Sequence, residues 1–205
     1  MKRAVFLDRD GVINPYVCHP EFGTVDSPAN PDEFALNDGV LGALQSLRSQ
    51  GFLLIVVSNQ PGIAKGRFTP GLLDATTQKM KRECGGLLNA VYYCLHHPHA
   101  LLPEYRENCE CRKPKPGLLL QAAGDWDLDL AASYIIGDGL TDIQAGKAAG
   151  VPTIFIGPRK CYLCNELKRR GIATDFIADD LKEAAEIVLT VSANKPIARA
   201  HVPCC

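Results

Sequence analysis

Neither sign of charge dominates this chain: 22 Lys and Arg against 23 Asp and Glu leave a formal net charge of −1 over 205 residues. Nucleic acid and anionic lipid are bound through basic stripes, so such partners are not expected and any charge that matters is local. An apolar run near the roughly 18 residues of a membrane-spanning helix is missing. So is a basic start leading into an apolar stretch and a small-residue cleavage site. The expectation is a cytoplasmic protein, acting as a monomer away from membranes. No internal repeat or linker divides it, so residues 1–190 are read as one domain and 191–205, which lack periodicity, as a loose tail. Hydrophobic residues make up 46% of the chain, enough to bury a core without disulfides. The nine cysteines are an odd count for a disulfide framework. In a reducing compartment clustered thiols serve more often as metal ligands or inert core residues.

Apolar, β-branched runs predict strands at 4–7, 52–57, 91–94, 133–137, 153–157 and 175–178. Helices are predicted between them: 38–50, closed by Gly51; 70–84, with Thr69 as N-cap and Pro70 at the first position; 116–124; 140–149, closed by Gly150; 161–170; and 180–190. Strand and helix alternating at this spacing argue for an α/β fold of three layers around a mostly parallel, Rossmann-like sheet, without a large cap domain.

Ligands of such sheets bind at the carboxyl ends of the strands. Asp8 and Asp10 leave the first strand, Ser58 and Asn59 follow the second, and Asp138 follows the fourth. Two aspartates one residue apart repel unless a cation joins them. Mg²⁺, which takes one or two carboxylates plus waters and phosphate oxygens, suits an all-oxygen set.

A second cluster is softer. Cys94 and His96 are spaced by one residue, as are Cys109 and Cys111, and 12 residues separate the pairs. Three thiolates and an imidazole suit a closed, tetrahedral, structural Zn²⁺ site that would staple the loop 94–111. The spacing is tighter than in common zinc fingers, and His97 and His99 are alternative ligands by spacing alone.

The stretches "FLDRDGVIN", "VVSNQPGIAKGRF", "CRKPKPG" and "IIGDGLTDIQAG" resemble, in order, the four motifs of the haloacid dehalogenase superfamily of aspartate-nucleophile phosphatases. "YYCLHHP" followed by "CECRKPKPG" is similar to the zinc-bearing, histidinol-phosphatase-like branch. The resemblance spans about residues 4 to 160. It implies that Asp8 attacks phosphorus and that Asp10 serves as acid and then base. By the same resemblance Ser58 and Lys113 stabilise the phosphoryl group, and Arg9, Asn59, Gln60 and Arg112 join Asp8, Asp10, Ser58 and Lys113 against the substrate. Mg²⁺ would be held by Asp8, Asp138 and the Asp10 carbonyl, with Asp142 supporting, and Zn²⁺ by Cys94, His96, Cys109 and Cys111. The implied substrate is a phosphorylated sugar, specifically a heptose 1,7-bisphosphate losing its 7-phosphate on the way to nucleotide-activated heptose for bacterial surface glycans. Histidinol phosphate is the alternative substrate, and a zinc-stabilised phosphosugar-binding module the non-enzymatic alternative.

Plainer readings stand beside these. An aspartate at a strand end also caps turns, and an acidic residue in the first turn of a helix, as at Asp142, is favoured by the dipole alone. Lys115 reads as a solvated charge, Cys161 and Cys164 as a thiol pair without a role, Cys204 and Cys205 as part of the tail, and Cys18 with His19 as loop residues near the substrate. "GIAKG" at 62–66 lacks the spacing of a nucleotide loop. Three features depart from the family pattern: a long 15–37 segment carrying "SPANPDEF", Gly139 in place of a basic residue, and Leu95 in place of proline.

Overall fold

The computed structural model describes residues 1–157, 169 and 171–194. Six strands form one parallel sheet: β1 (Ala4–Leu7), β4 (Leu53–Asn59), β5 (Ala90–Cys94), β6 (Tyr134–Gly137), β7 (Thr153–Ile156) and β8 (Phe176–Ala178), in the order β5-β4-β1-β6-β7-β8. From β1 the chain builds outward through β4 to β5, then returns to the other side of β1 for β6, β7 and β8. The sheet therefore reverses direction at β1, and the crevice such a reversal opens lies beyond its carboxyl end.

Successive residues of a strand face opposite sides, and both sides are apolar here because helices cover each. Val5, Leu7, Leu54, Val56, Ile136 and Ile154 pack against Leu44 and Leu47 of α1 (Val40–Ser49), Met80 of α2 (Pro70–Glu83) and Val188 of α5 (Leu181–Ser192). Ala4, Phe6, Ile55, Val57 and Ile135 pack against Leu118 and Ala122 of α3 (Gly117–Trp126) and Ala145 of α4 (Leu140–Ala149). Each of these larger side chains, withdrawn from water, contributes roughly 1.5–3 kcal/mol. The three-layer α/β fold predicted from the strand pattern is present.

Several boundaries move. The second strand runs on through Ser58 and Asn59, because β5 pairs with them at Tyr93 and Cys94. α1 starts at Val40, since Gly39 before it is left-handed at φ 77°. α3 runs two residues longer, to Trp126, and α5 continues to Ser192, into the stretch predicted to be loose. The helix predicted at 161–170 lies, apart from Arg169, outside the described residues, as do Cys161, Cys164, Cys204 and Cys205. The segment 15–37 is not simply a loop: β2 (Val17–His19) and β3 (Thr24–Asp26) pair antiparallel. That hairpin and the segments 60–69 and 95–116 stand over the carboxyl edge of the sheet. Among the described residues no helix is long and apolar enough to cross a membrane.

Candidate active site and metal centre

Asp8 extends β1 by one ladder bond, its N–H donating to the Ile136 carbonyl at 3.0 Å. Asp138 follows β6 directly, and Asp142 sits in the first turn of α4. One carboxylate oxygen from each of the three lies within 4.8 Å of the others. Gly11 makes room for this: it has φ +81°, and a Cβ there would come 2.1 Å from Asp138 Oδ2. No other residue type fits that approach.

Among the described residues one cation reaches the cluster. Lys113 is buried and its ammonium donates to Asp142 Oδ1, lies 3.0 Å from Asp8 Oδ2, and donates at 2.9 Å to the Val57 carbonyl. Burial alone would lower the lysine, but the Asp142 and Asp8 charges outweigh it and hold Lys113 above its usual range. Burial and the Asp8 charge push Asp138 up to about 6 and Asp142 up to about 7. Each ionised carboxylate pair at such separations repels by about 3 kcal/mol or more at an effective dielectric near 20. One ammonium does not balance three carboxylates. The all-oxygen, charge-deficient set fits a divalent cation such as Mg²⁺, with Asp8 and Asp138 closest to the cavity. Asp142 serves both readings of it: its Oδ2 accepts the Gly139 N–H at 3.1 Å as a helix cap, while its Oδ1 pairs with Lys113.

Asp10 is set differently. Its carboxylate, 5% exposed, accepts from Arg9 Nε at 3.1 Å, Asn14 Nδ2 at 2.9 Å, Ser27 Oγ at 2.8 Å and Gln60 Nε2 at 2.7 Å. Two of these donors stand apart from the roles the motifs imply. The side chains of Arg9 and Gln60 are fully buried, absent from the cavity wall and donate to the Asp10 carboxylate. For Arg9 the reason is alternation: lying between two residues that face the cavity, it turns the other way, its guanidinium 5.7 Å from the Tyr93 ring centroid.

The cavity above, about 590 Å³, is walled by Asp8, Asp10, Ser58, Asn59, Arg112 and Lys113 among others. The motif residues thus converge. Asn59 also fixes the lysine: its Nδ2 donates to the Lys113 carbonyl at 3.0 Å and its Oδ1 accepts the Lys113 N–H at 3.1 Å. Tyr16, Asp26 and Ser27 line the same cavity and were not anticipated, because they are ordinary loop residues brought in by the hairpin. Asp26 pairs with Arg67 of the 60–69 segment. His19 is buried and turns to the Ser27 carbonyl at 3.0 Å, and Cys18 is exposed; neither lines the cavity.

At the end of β5 the second cluster closes on itself. Cys111 Sγ lies 3.1 Å from both Cys94 and Cys109 Sγ, Cys94 and Cys109 are 3.5 Å apart, and His96 Nδ1 is 3.5 Å from Cys111 Sγ. All four donor atoms fall within 4.8 Å of one another. Sulfur ligands about 2.3 Å from zinc stand a little under 4 Å apart, so the set fits a tetrahedral Zn²⁺. His96 Nε2 faces Glu107 at 3.5 Å, a carboxylate placed to orient the ring. Burial opposes ionisation of Cys109, but hydrogen bonds from Cys111, Cys94 and His96 outweigh it and lower the thiol to about 7, whereas burial raises Cys94 and Cys111. Arg112 follows the last ligand, and its Nη1 donates to the His96 carbonyl at 3.2 Å, so the cluster sets where that guanidinium stands.

A carboxylate cluster sharing one lysine, open to a polar cavity at the reversal point of a parallel sheet, defines a hydrolase of phosphate esters. Residues 110–184 match the family model for HAD-hydrolase-like proteins. The chain is 44% identical over 153 residues, 73% of its length and 76% of the relative's, to D-glycero-beta-D-manno-heptose-1,7-bisphosphate 7-phosphatase of Escherichia coli K12. It is 40% identical over 183 residues to the protein of the same name from Haemophilus ducreyi, covering 87% of this chain and 96% of that one. The crystal structure of D,D-heptose 1,7-bisphosphate phosphatase from B. bronchiseptica, complexed with magnesium and phosphate, superposes with a TM-score of 0.74 at 31% identity, over 93% of this chain and 99% of the other. The chain belongs to the HAD-like phosphatases.

Proposed function

We propose that this protein removes the 7-phosphate of D-glycero-D-manno-heptose 1,7-bisphosphate, the substrate named for these relatives, whose curated names specify the β anomer. The observation that carries the reading is the Asp8, Asp138 and Asp142 cluster with Lys113, facing Asp10 across a cavity of about 590 Å³. In it a carboxylate of Asp8 attacks phosphorus, the phosphorus–oxygen ester bond breaks, and Asp10 gives its proton to the leaving sugar oxygen. Water then attacks the aspartyl-phosphate and returns a proton to Asp10, freeing phosphate and Asp8. Lys113 and Ser58 stand where phosphoryl oxygens gain charge. Asp8 and Asp138, with the Asp10 carbonyl, would hold Mg²⁺, which when bound neutralises phosphoryl oxygens beside the ionised nucleophile. The zinc cluster keeps all its donors on one another and takes no part in the chemistry. The reading keeps the protein a monomer, with residues 1–190 as one domain.

Histidinol phosphate is the competing substrate. It brings an ammonium to a rim where Arg112 already stands, which disfavours it. The test is kcat/KM for both substrates, together with acid quenching during turnover. A preference for the heptose bisphosphate and a phosphoryl group recovered on Asp8 are expected; a preference for histidinol phosphate, or no phosphoryl-enzyme, overturns the reading.

A further inference from the structure

Asp10 has to carry a proton in one half of the reaction and none in the other, yet both its oxygens are occupied. Oδ1 accepts from Arg9 Nε at 3.1 Å and Asn14 Nδ2 at 2.9 Å, and Oδ2 accepts from Arg9 Nη2 at 3.3 Å, Gln60 Nε2 at 2.7 Å and Ser27 Oγ at 2.8 Å. The guanidinium and the two amide nitrogens only donate, whereas a hydroxyl both donates and accepts. Ser27 differs in place as well as in chemistry. Arg9, Asn14 and Gln60 are fully buried and off the cavity wall, and Ser27 is part of it. Its backbone is pinned on both sides: the N–H donates to Asp26 Oδ1 at 2.8 Å, and the carbonyl accepts from His19 Nε2 at 3.0 Å. Asp26 is in turn paired with Arg67, and His19 is buried with Glu21 3.5 Å from its Nδ1. What Ser27 keeps is rotation of its hydroxyl about the Cβ–Oγ bond.

We infer that Ser27 is a positioning residue for the acid–base step: its hydroxyl donates to Asp10 Oδ2 while that carboxylate is ionised, and turns to accept from it once Oδ2 carries the proton. The inference rests on the functional reading above and deepens it. Ser27 keeps its own proton throughout; the transferred one passes from Asp10 to the leaving oxygen and returns to Asp10 from the attacking water. The bond fixes the side of Asp10 on which the proton waits, and that side is the cavity. Arg9, Asn14 and Gln60 hold the carboxylate in place but give that proton no acceptor. The hairpin of β2 and β3 thereby gains a task, since Ser27 follows directly on β3 and is delivered to the acid by it.

The experiment compares kcat/KM for heptose 1,7-bisphosphate and 4-nitrophenyl phosphate in the wild type, Ser27→Ala and Ser27→Thr. This constant covers departure of the leaving group and not the later hydrolysis of the aspartyl-phosphate. A sugar oxygen leaves poorly unless it is protonated, whereas nitrophenolate leaves without a proton. Ser27→Ala is expected to lower the sugar-to-aryl ratio by about tenfold, the scale for one hydrogen bond to a charged group, and Ser27→Thr, which keeps the hydroxyl, to restore it. Loss of folded protein lowers both substrates alike and leaves the ratio untouched. A wild type that releases no phosphate from the heptose bisphosphate overturns the functional reading and the inference with it. A wild type that hydrolyses it, with the ratio unmoved in Ser27→Ala or lowered as far in Ser27→Thr, overturns the positioning role alone.

Discussion

The carboxylate cluster and the thiol cluster sit at the carboxyl end of one sheet, barely two strands apart, and are built to opposite purposes. Around Asp8 the oxygens face a cavity, one lysine is shared among three acids, and burial leaves Asp138 and Asp142 reluctant to ionise. Around Cys94 the donors face one another at 3.1 to 3.5 Å and leave no position for a substrate. The first keeps an electrostatic deficit for a ligand to fill, and the second spends its ligands on closing a loop. Difference in openness, rather than in metal affinity, separates a working site from a structural one.

The contrast can be broken by mutation, starting where the effect is largest. Asp8→Asn should cut phosphate release by on the order of 10⁴-fold or more, as loss of a nucleophile does, while thermal melting stays near the wild type because a like charge has been removed. Turnover within tenfold of wild type would show that the open cluster is not the reacting one. Lys113→Met should lower kcat by roughly 10²–10³-fold, the scale for losing one preorganised donor. It should also destabilise, because Asp142 is then buried without its partner. A change in KM alone would move Lys113 from the reaction to simple binding.

Cys109→Ser tests the other cluster and should reverse the pattern. The melting temperature should fall by roughly 10 °C, corresponding to about 3 kcal/mol at this chain length, with bound zinc lost by elemental analysis and activity declining only as the fold does. A zinc-free variant of normal stability and activity would erase the distinction between the two sites. The smallest effect is one of pH. Because Asp138 and Asp142 are raised to about 6 and about 7 from 3.8, the folded chain keeps protons the unfolded chain has released. Without Mg²⁺, stability is therefore lost as pH rises from about 4 to about 7. Mg²⁺ replaces those protons, so the melting shift it causes should be small near pH 5 and reach roughly a few degrees near pH 7.5. Equal shifts at both pH values would show that protons and the cation do not compete for these oxygens.

How much of this was legible before folding depends on the range of the interaction. Asp8, Ser58 and Asp138 were readable because strand ends in a parallel sheet come together whatever else the chain does. The zinc ligands were readable from spacing and chemistry, and the choice of His96 over His97 and His99 from resemblance to a family. That Arg9 and Gln60 are fully buried and donate to Asp10 was not readable: a motif records that a residue is required without recording which way its side chain turns. The hairpin at 17–26 was invisible because its strands are three residues each, too short for a periodic signal, and Tyr16 and Ser27 went with it.

From the sequence alone came the parallel sheet, the oxygen cluster, the thiol cluster and the order in which they occur, since alternation of apolar runs and the chemistry of donor sets are local properties. Tertiary structure decided the rest: that Lys113 is buried between Asp8 and Asp142, that five donor atoms hold Asp10, and that the Ala64 carbonyl receives the loop carrying Arg112 at Leu101 and Leu102. Those arrangements join segments up to about a hundred residues apart, and burial makes each of them strong. Only packing chooses which distant charge fills a given gap.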